Sequence, residues 1–167
     1  NTPHNPSGSI LTAADMKALE KITRKTDIII ISDEVYEHLI FDGQVHESVC
    51  RYAGLAERSI VIGSFGKTFH ATGWKMGYAL APANLMTEFR KAHQFVVFTC
   101  NTPIQYALAE YMKEASHWEG LPDFYQQKRD YFQRLLQGSR FGIIPCHGTY
   151  FQLLDYSAIS QDDEIQF

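Results

Sequence analysis

Short unbroken apolar runs alternate in this chain with longer stretches in which apolar residues recur at helical spacing. Asp27-Ile-Ile-Ile-Ile-Ser32 and Ser59-Ile-Val-Ile-Gly63 have the β-branched density of strands buried on both faces. Before the first run, Thr12 to Arg24 places Met16, Leu19 and Ile22 on one helical face, behind a threonine followed three positions later by Asp15. That is the signature of a capped amphipathic helix. The apolar pattern resumes over Gly77 to Ala81 as a further strand. Leu85, Met86, Phe89, Ala92 and Val96 then predict a helix over Asn84 to Phe98, capped by Asn84. Pro103 opens another helix, Ile104 to Ala115, and Pro122 begins a long amphipathic run through Tyr125, Tyr131, Leu135 and Leu136 to Gly138. Phe141 to Ile144 and Thr149 to Leu154 read as closing strands around Pro145-Cys-His-Gly148. Strand and helix in alternation predict an α/β doubly wound sheet, with the long helix bridging to a second domain.

The remaining segments are turns. Asn5-Pro-Ser-Gly8 combines a proline that fixes one dihedral with a glycine that permits a positive one. Residues 41–57 read as a loop and a short helix over Cys50 to Leu55. His46 and Glu47 fall there, in an irregular surface stretch with no chemistry assigned, and Glu34 and Glu37 are expected to face solvent or pair structurally.

Composition narrows the possibilities. A chain of 167 residues that is 45% hydrophobic can form one globular domain or part of a larger one. A formal net charge of -4, without a Lys/Arg stripe, leaves no footprint for nucleic acid. No apolar run approaches the ~20 residues of a membrane span, so a soluble cytoplasmic protein is expected. Cys50, Cys100 and Cys146 form no C-x-x-C pair and the histidines no H-x-x-x-H pair, so reduced thiols and no metal centre are expected.

Candidate chemistry gathers where strands end. Gly66-Lys67-Thr68 has the tail of a phosphate-cradling P-loop, but the first glycine of that motif would fall on Val61, and a β-branched residue cannot take the backbone conformation required. Two readings of Lys67 remain. It is a surface lysine at a turn, or a partly desolvated amine able to attack an aldehyde, with Ser64, Thr68 and Lys75 supplying hydroxyls and charge for an anionic group. Asp33, at the carboxyl end of its strand, is either a helix cap or a carboxylate with a cationic partner.

Three ordered motifs carry a family resemblance. Ser64-x-x-Lys67-Thr-Phe-x-x-x-Gly73-Trp74-Lys75-x-Gly77 resembles the active-site lysine segment of class I and II aminotransferases, the fold type I enzymes that use pyridoxal 5'-phosphate (PLP). Asn1-Thr-Pro-His-Asn-Pro-Ser-Gly8 resembles their N-P-x-G motif, and Ser32-Asp-Glu-Val-Tyr36 their D-E-x-Y motif. Within the family the resemblance is to the methionine, glutamine and kynurenine branch. It implies the C-terminal half of the large, mostly parallel-sheet domain over residues 1–118, and a linking helix with the start of the small α+β domain over 119–167.

The resemblance also implies roles. Lys67 would hold PLP as a Schiff base, Asp33 would pair with the pyridine nitrogen, Asn5 and Tyr36 would bind the O3' oxygen, and Ser64 and Lys75 the phosphate. Many members have arginine where this chain has Lys75, which supplies charge without a bidentate grip. The implied reaction moves the amino group of an L-amino acid, methionine or another large apolar or aromatic one, to a 2-oxo acid by ping-pong kinetics. A homodimer is implied, with Phe98 either reaching the neighbouring subunit's substrate pocket or serving as ordinary core. A PLP-dependent carbon-sulfur β-lyase and an aminotransferase-like PLP-sensing regulator are the competing readings. The chain is expected to be a central fragment, inactive alone. The ring-stacking aromatic, the glycine-containing phosphate loop and the carboxylate-binding arginine are expected before Asn1 or after Phe167.

Overall fold

The computed structural model describes residues 1–163, 165 and 166. Helix α1 (Ala13–Thr23) starts at the expected cap. Thr12 Oγ1 accepts the Asp15 N–H at 3.3 Å, and the Asp15 carboxylate accepts the Thr12 N–H at 2.8 Å. This reciprocal box satisfies donors that the first turn cannot pair internally. After α1 comes β1 (Ile30–Asp33), then a 3-10 turn at Val49–Arg51, α2 (Ala53–Ala56) and β2 (Ser59–Ser64). Met16 of α1, Val49, Leu55 of α2 and Val61 of β2 close a core, with Leu19, Ile30 and Tyr52 packed against it. Arg58 fastens the layer from its edge. Its guanidinium donates to Thr23 O (2.8 Å) and Thr26 O (2.7 Å) at the end of α1, and to Gly54 O (3.2 Å) in α2. A cation there satisfies carbonyls a helix leaves open and complements the helix dipole.

β1 and β2 pair in parallel with Asp33 opposite Ile62, and β3 (Gly77–Leu80) runs antiparallel on the other side of β2 with Gly77 opposite Ser64. Between β2 and β3 lie the single-turn helix α3 (Phe65–Thr68) and a 3-10 turn at Thr72–Trp74. The isoleucine run departs from expectation. Only Ile30–Asp33 is strand, and Ile28, Ile29 and Ile31 are 51%, 55% and 71% exposed. Successive strand residues face opposite ways. Ile30 reaches the core, while no described element covers the opposite face at Ile31.

The rest is largely helical: α4 (Ala83–Val96), α5 (Thr102–Tyr111), α6 (Ser116–Glu119) and α7 (Leu121–Leu135). The cap of α4 is Pro82, not Asn84. The extended backbone of Pro82 places Asn84 inside the first turn. Asn101 caps α5 by accepting the Ile104 N–H at 3.2 Å, with Pro103 in the first turn. The closing strands β4 (Gly142–Ile143) and β5 (Leu154–Asp155) are shorter than expected. Thr149 takes a left-handed backbone (φ 69°), which interrupts extension there. Its N–H instead donates to Leu39 O at 3.0 Å, and Phe41 N–H donates to His147 O at 2.9 Å. Arg129 of α7 secures this junction, with two bonds to the Asp42 carboxylate (2.7 and 2.6 Å) and one to Cys146 O (2.8 Å).

Two outcomes follow from this packing. Met16→Ala leaves a cavity in the core and should lower stability by about 2–5 kcal/mol in a urea titration. The Arg129 hydrogen bonds hold the Asp42 carboxyl below its ordinary value against the opposing effect of burial. The pair therefore contributes fully above the unfolded aspartate value of about 3.9 and loses its contribution as pH falls through the lower folded value. Asp42→Asn should cost about 1 kcal/mol at neutral pH, with the gap from wild type closing in strong acid.

Candidate active site at the carboxyl edge of the sheet

Parallel register brings the carboxyl ends of β1 and β2 to one rim, where ligands bind in sheets of this kind. β1 ends at Asp33, β2 ends at Ser64, Lys67 lies in α3, and Lys75 precedes β3. The first residues of the chain return to the same rim. Thr2 N–H donates to Asp33 O at 3.0 Å, and the Asn1 side-chain amide reaches Asp33 Oδ2 at 3.4 Å. Thr2 Oγ1 in turn accepts the Leu11 N–H at 3.0 Å, which anchors this segment from the other side.

Asp33 caps no helix, since a turn follows it; Oδ1 accepts the Val35 N–H of that turn at 3.3 Å while Oδ2 is turned toward Asn1. The next residue goes the opposite way. Glu34 is 1% exposed, with its carboxylate accepting from Ser32 Oγ (2.8 Å), Val49 N (3.2 Å) and His46 Nε2 (2.7 Å). Burial acts to raise its carboxyl, yet the hydrogen bonds from His46, Ser32 and Ser48 together bring it below the ordinary glutamate value. Of the two expectations for Glu34, the structure has the structural pair and not solvent exposure, and its partner His46 sits half-buried in the irregular segment. Glu37 pairs with the Tyr78 hydroxyl.

Tyr36 is buried, its hydroxyl 3.4 Å from that of Tyr150 and its ring edge-on to Tyr150 at 5.3 Å. Burial pushes its phenol well above the usual range, Tyr150 and the Asp33 charge add to this, and the Asn5 amide acts the other way. Asn5 and Asp33 thus both bear on the Tyr36 hydroxyl. Asn5 itself is exposed.

The segment from Ser64 to Lys75 is wound tightly on itself. Ser64 Oγ accepts the Gly66 N–H at 3.1 Å, and Gly66 O takes both the Ala71 N–H and the Thr72 hydroxyl at 3.0 Å. A Cβ on Gly66 would lie 2.8 Å from Thr72 Cα, a backbone contact that only glycine avoids. Lys67 is half-buried in this knot and, among the described residues, makes no hydrogen bond or ion pair. Lys75 is exposed and left-handed (φ 56°), closing the 3-10 turn with its N–H on Thr72 O. Phe98 is 78% exposed at φ 66°, just past the end of α4, so it joins no core among the described residues.

The donors and acceptors suit pyridoxal phosphate. The Ser64 hydroxyl, having accepted one N–H, keeps its proton to give to an anion, with the Lys75 charge on the same loop. The amine of Lys67, without a partner among the described residues, suits an aldehyde, and the half-buried Asp33 suits a cationic ring nitrogen. Sequence reasoning did not find the Tyr150 contact, the Asn1 amide or the His46–Glu34 pair. Each partner lies far along the chain or inside an irregular loop, and no spacing in the sequence pointed to them.

Comparison with known proteins shows the family of the chain. The family model for aminotransferase class I and II matches residues 1–166. The methionine aminotransferase of Escherichia coli (strain K12) is 51% identical over 168 residues, which cover 100% of this chain and 44% of the relative. Kynurenine--oxoglutarate transaminase 3 of Mus musculus is 38% identical over 170 residues, covering 97% and 37%. A solved Escherichia coli structure, described as having a methionine aminotransferase function, superposes with a TM-score of 0.96 at 50% identity, covering 99% of this chain and 44% of that one. The chain thus spans less than half the length of these relatives. The rim of acid, amine and hydroxyl lies within a match that runs nearly end to end, and the chain belongs to the class I and II aminotransferase family.

Proposed function

We propose that residues 1–167 supply the lysine-bearing part of a pyridoxal-phosphate-dependent aminotransferase. It moves the amino group of an L-amino acid, methionine or another large apolar or aromatic one, to a 2-oxo acid. The observation that carries this reading is Lys67, half-buried past β2 with no partner among the described residues, on a rim shared with Asp33. The 51% identity to a methionine aminotransferase supports the substrate class, and the aminotransferase relatives favour transfer over the lyase and regulator readings. Because the chain covers 44% of that relative, the activity is assigned to a polypeptide of the relative's length.

When bound, pyridoxal phosphate supplies an aldehyde and a ring that withdraws electrons from the substrate Cα. In this reading Lys67 would hold the cofactor through its amine and would move the proton at the substrate Cα as general base. Asp33 would hold a proton on the ring nitrogen. The Asn5 amide and Tyr36 hydroxyl would orient the phenolic oxygen, with Tyr150 backing Tyr36. The Ser64 hydroxyl and Lys75 ammonium bind the phosphate as hydrogen-bond donor and point charge. Both half-reactions use one site, so initial-rate plots should show ping-pong kinetics. The exposed Phe98, with Phe95 also 87% exposed beside it, supports a homodimer in which this strip meets the second subunit.

Lys67→Ala in the intact enzyme should abolish the visible absorbance of bound cofactor and lower kcat by about 10²–10⁴-fold or more. A band that survives unchanged would refute the assignment. Asp33→Asn preserves shape and removes charge, so kcat should fall about 10²–10³-fold while the covalent linkage, seen by borohydride trapping, persists.

A further inference from the structure

We propose that His46 is a positioning residue for the cofactor-facing turn, acting through the buried carboxylate of Glu34. The inference rests on the function proposed above and concerns a residue outside the roles given there.

Asp33 and Glu34 are neighbours whose side chains part company, one at the rim and the other 1% exposed. A carboxylate at that depth persists only when its lone pairs are taken. Ser32 Oγ and Val49 N–H take Glu34 Oε1, and His46 Nε2 takes Oε2 at 2.7 Å. The His46 side chain is 14% exposed, and its Nδ1 is buried without a hydrogen-bond partner. The contact with a carboxylate calls for a proton on Nε2, and the second ring nitrogen has nothing to bond. A buried polar atom left unpaired is costly, so packing alone is a poor reason for an imidazole here. The bond to Glu34 is a sufficient one.

That bond bears directly on the rim. Glu34 N–H donates to Ile62 O at 2.9 Å and Glu34 O accepts the Glu37 N–H at 2.9 Å, so this residue is the pivot of the turn. Asp33 precedes the pivot and Tyr36 closes the turn, its carbonyl accepting the Leu39 N–H at 2.8 Å. With the Glu34 side chain held from residues 46–49, the backbone that carries Asp33 and Tyr36 is held as well. The other titratable groups around the pair are His38 and Glu37 on the turn and Tyr78 on β3.

The test uses the intact enzyme and pyridoxal phosphate, reading cofactor dissociation by absorbance titration beside thermal unfolding of the apoprotein. His46→Ala should weaken cofactor binding about tenfold or more, and His46→Gln, whose amide can donate to Glu34, should recover most of it. Cofactor affinity unchanged in His46→Ala, even with a lower apoprotein melting temperature, would show a purely structural residue and overturn the proposal. Equal losses in His46→Ala and His46→Gln would overturn it as well. If His46→Ala does not fold, the near-isosteric Glu34→Gln and His46→Gln decide: the first should bind the cofactor more weakly than the second, and the reverse order overturns the proposal. Wild-type enzyme that takes up no cofactor would remove the underlying function instead, a failure seen in the reference protein and not in the variants.

Discussion

The parallel pairing of β1 with β2, Asp33 opposite Ile62, is the constraint on which the site depends. A slip of one residue would reverse the face presented by every side chain in β1. Ile30 would leave the core and Asp33 would turn inward, where its charge would have no partner of its own. The small cluster around Met16 and Val61 therefore does more than stabilise a layer. By fixing which isoleucine is inside, it fixes which way the acid points.

The second strand pairing extends the same logic. Gly77 lies opposite Ser64, so the loop that holds Lys67 must leave and re-enter the sheet at adjacent positions. A Cβ on Gly77 would come within 2.6 Å of Gly63 O, which makes glycine the residue that permits this closure. The lysine is thereby carried on a single helical turn within a segment whose two ends are fixed by the sheet. Polar groups on regular elements are held more firmly than those on free loops, and a turn in such a segment approaches that condition.

Much of this was legible in the linear chain because it is local. The Thr12–Asp15 box, the strand at Ile60 to Ile62, and the glycine-punctuated lysine segment each declare themselves within a few residues, and the structure has all of them. What sequence reasoning misjudged depends on distant parts. Four consecutive isoleucines say that a strand is apolar, not which of its faces another element will cover. Asn84 has a capping side chain, but the backbone of Pro82 starts the helix earlier. His46 looked unremarkable because its partner Glu34 lies across an irregular loop, with no period to connect them. The rim residues were nominated by their order along the chain; the effect of Asp33 and Asn5 on Tyr36 emerged only once the turn was seen in space.

In the proposed enzyme Ser64 would combine two jobs in a single oxygen. Its lone pair takes an N–H at the start of α3, and its proton would remain for the phosphate. A side chain committed in this way has its rotamer chosen before any ligand arrives, so little orientational freedom is left to surrender on binding. The same economy makes the position hard to modify selectively: removing the hydroxyl would loosen the lysine's turn and deprive the anion of a donor together. Evolution can tune one of those properties there only by disturbing the other, whereas Lys75, exposed and held through its backbone alone, is free to exchange one cation for another.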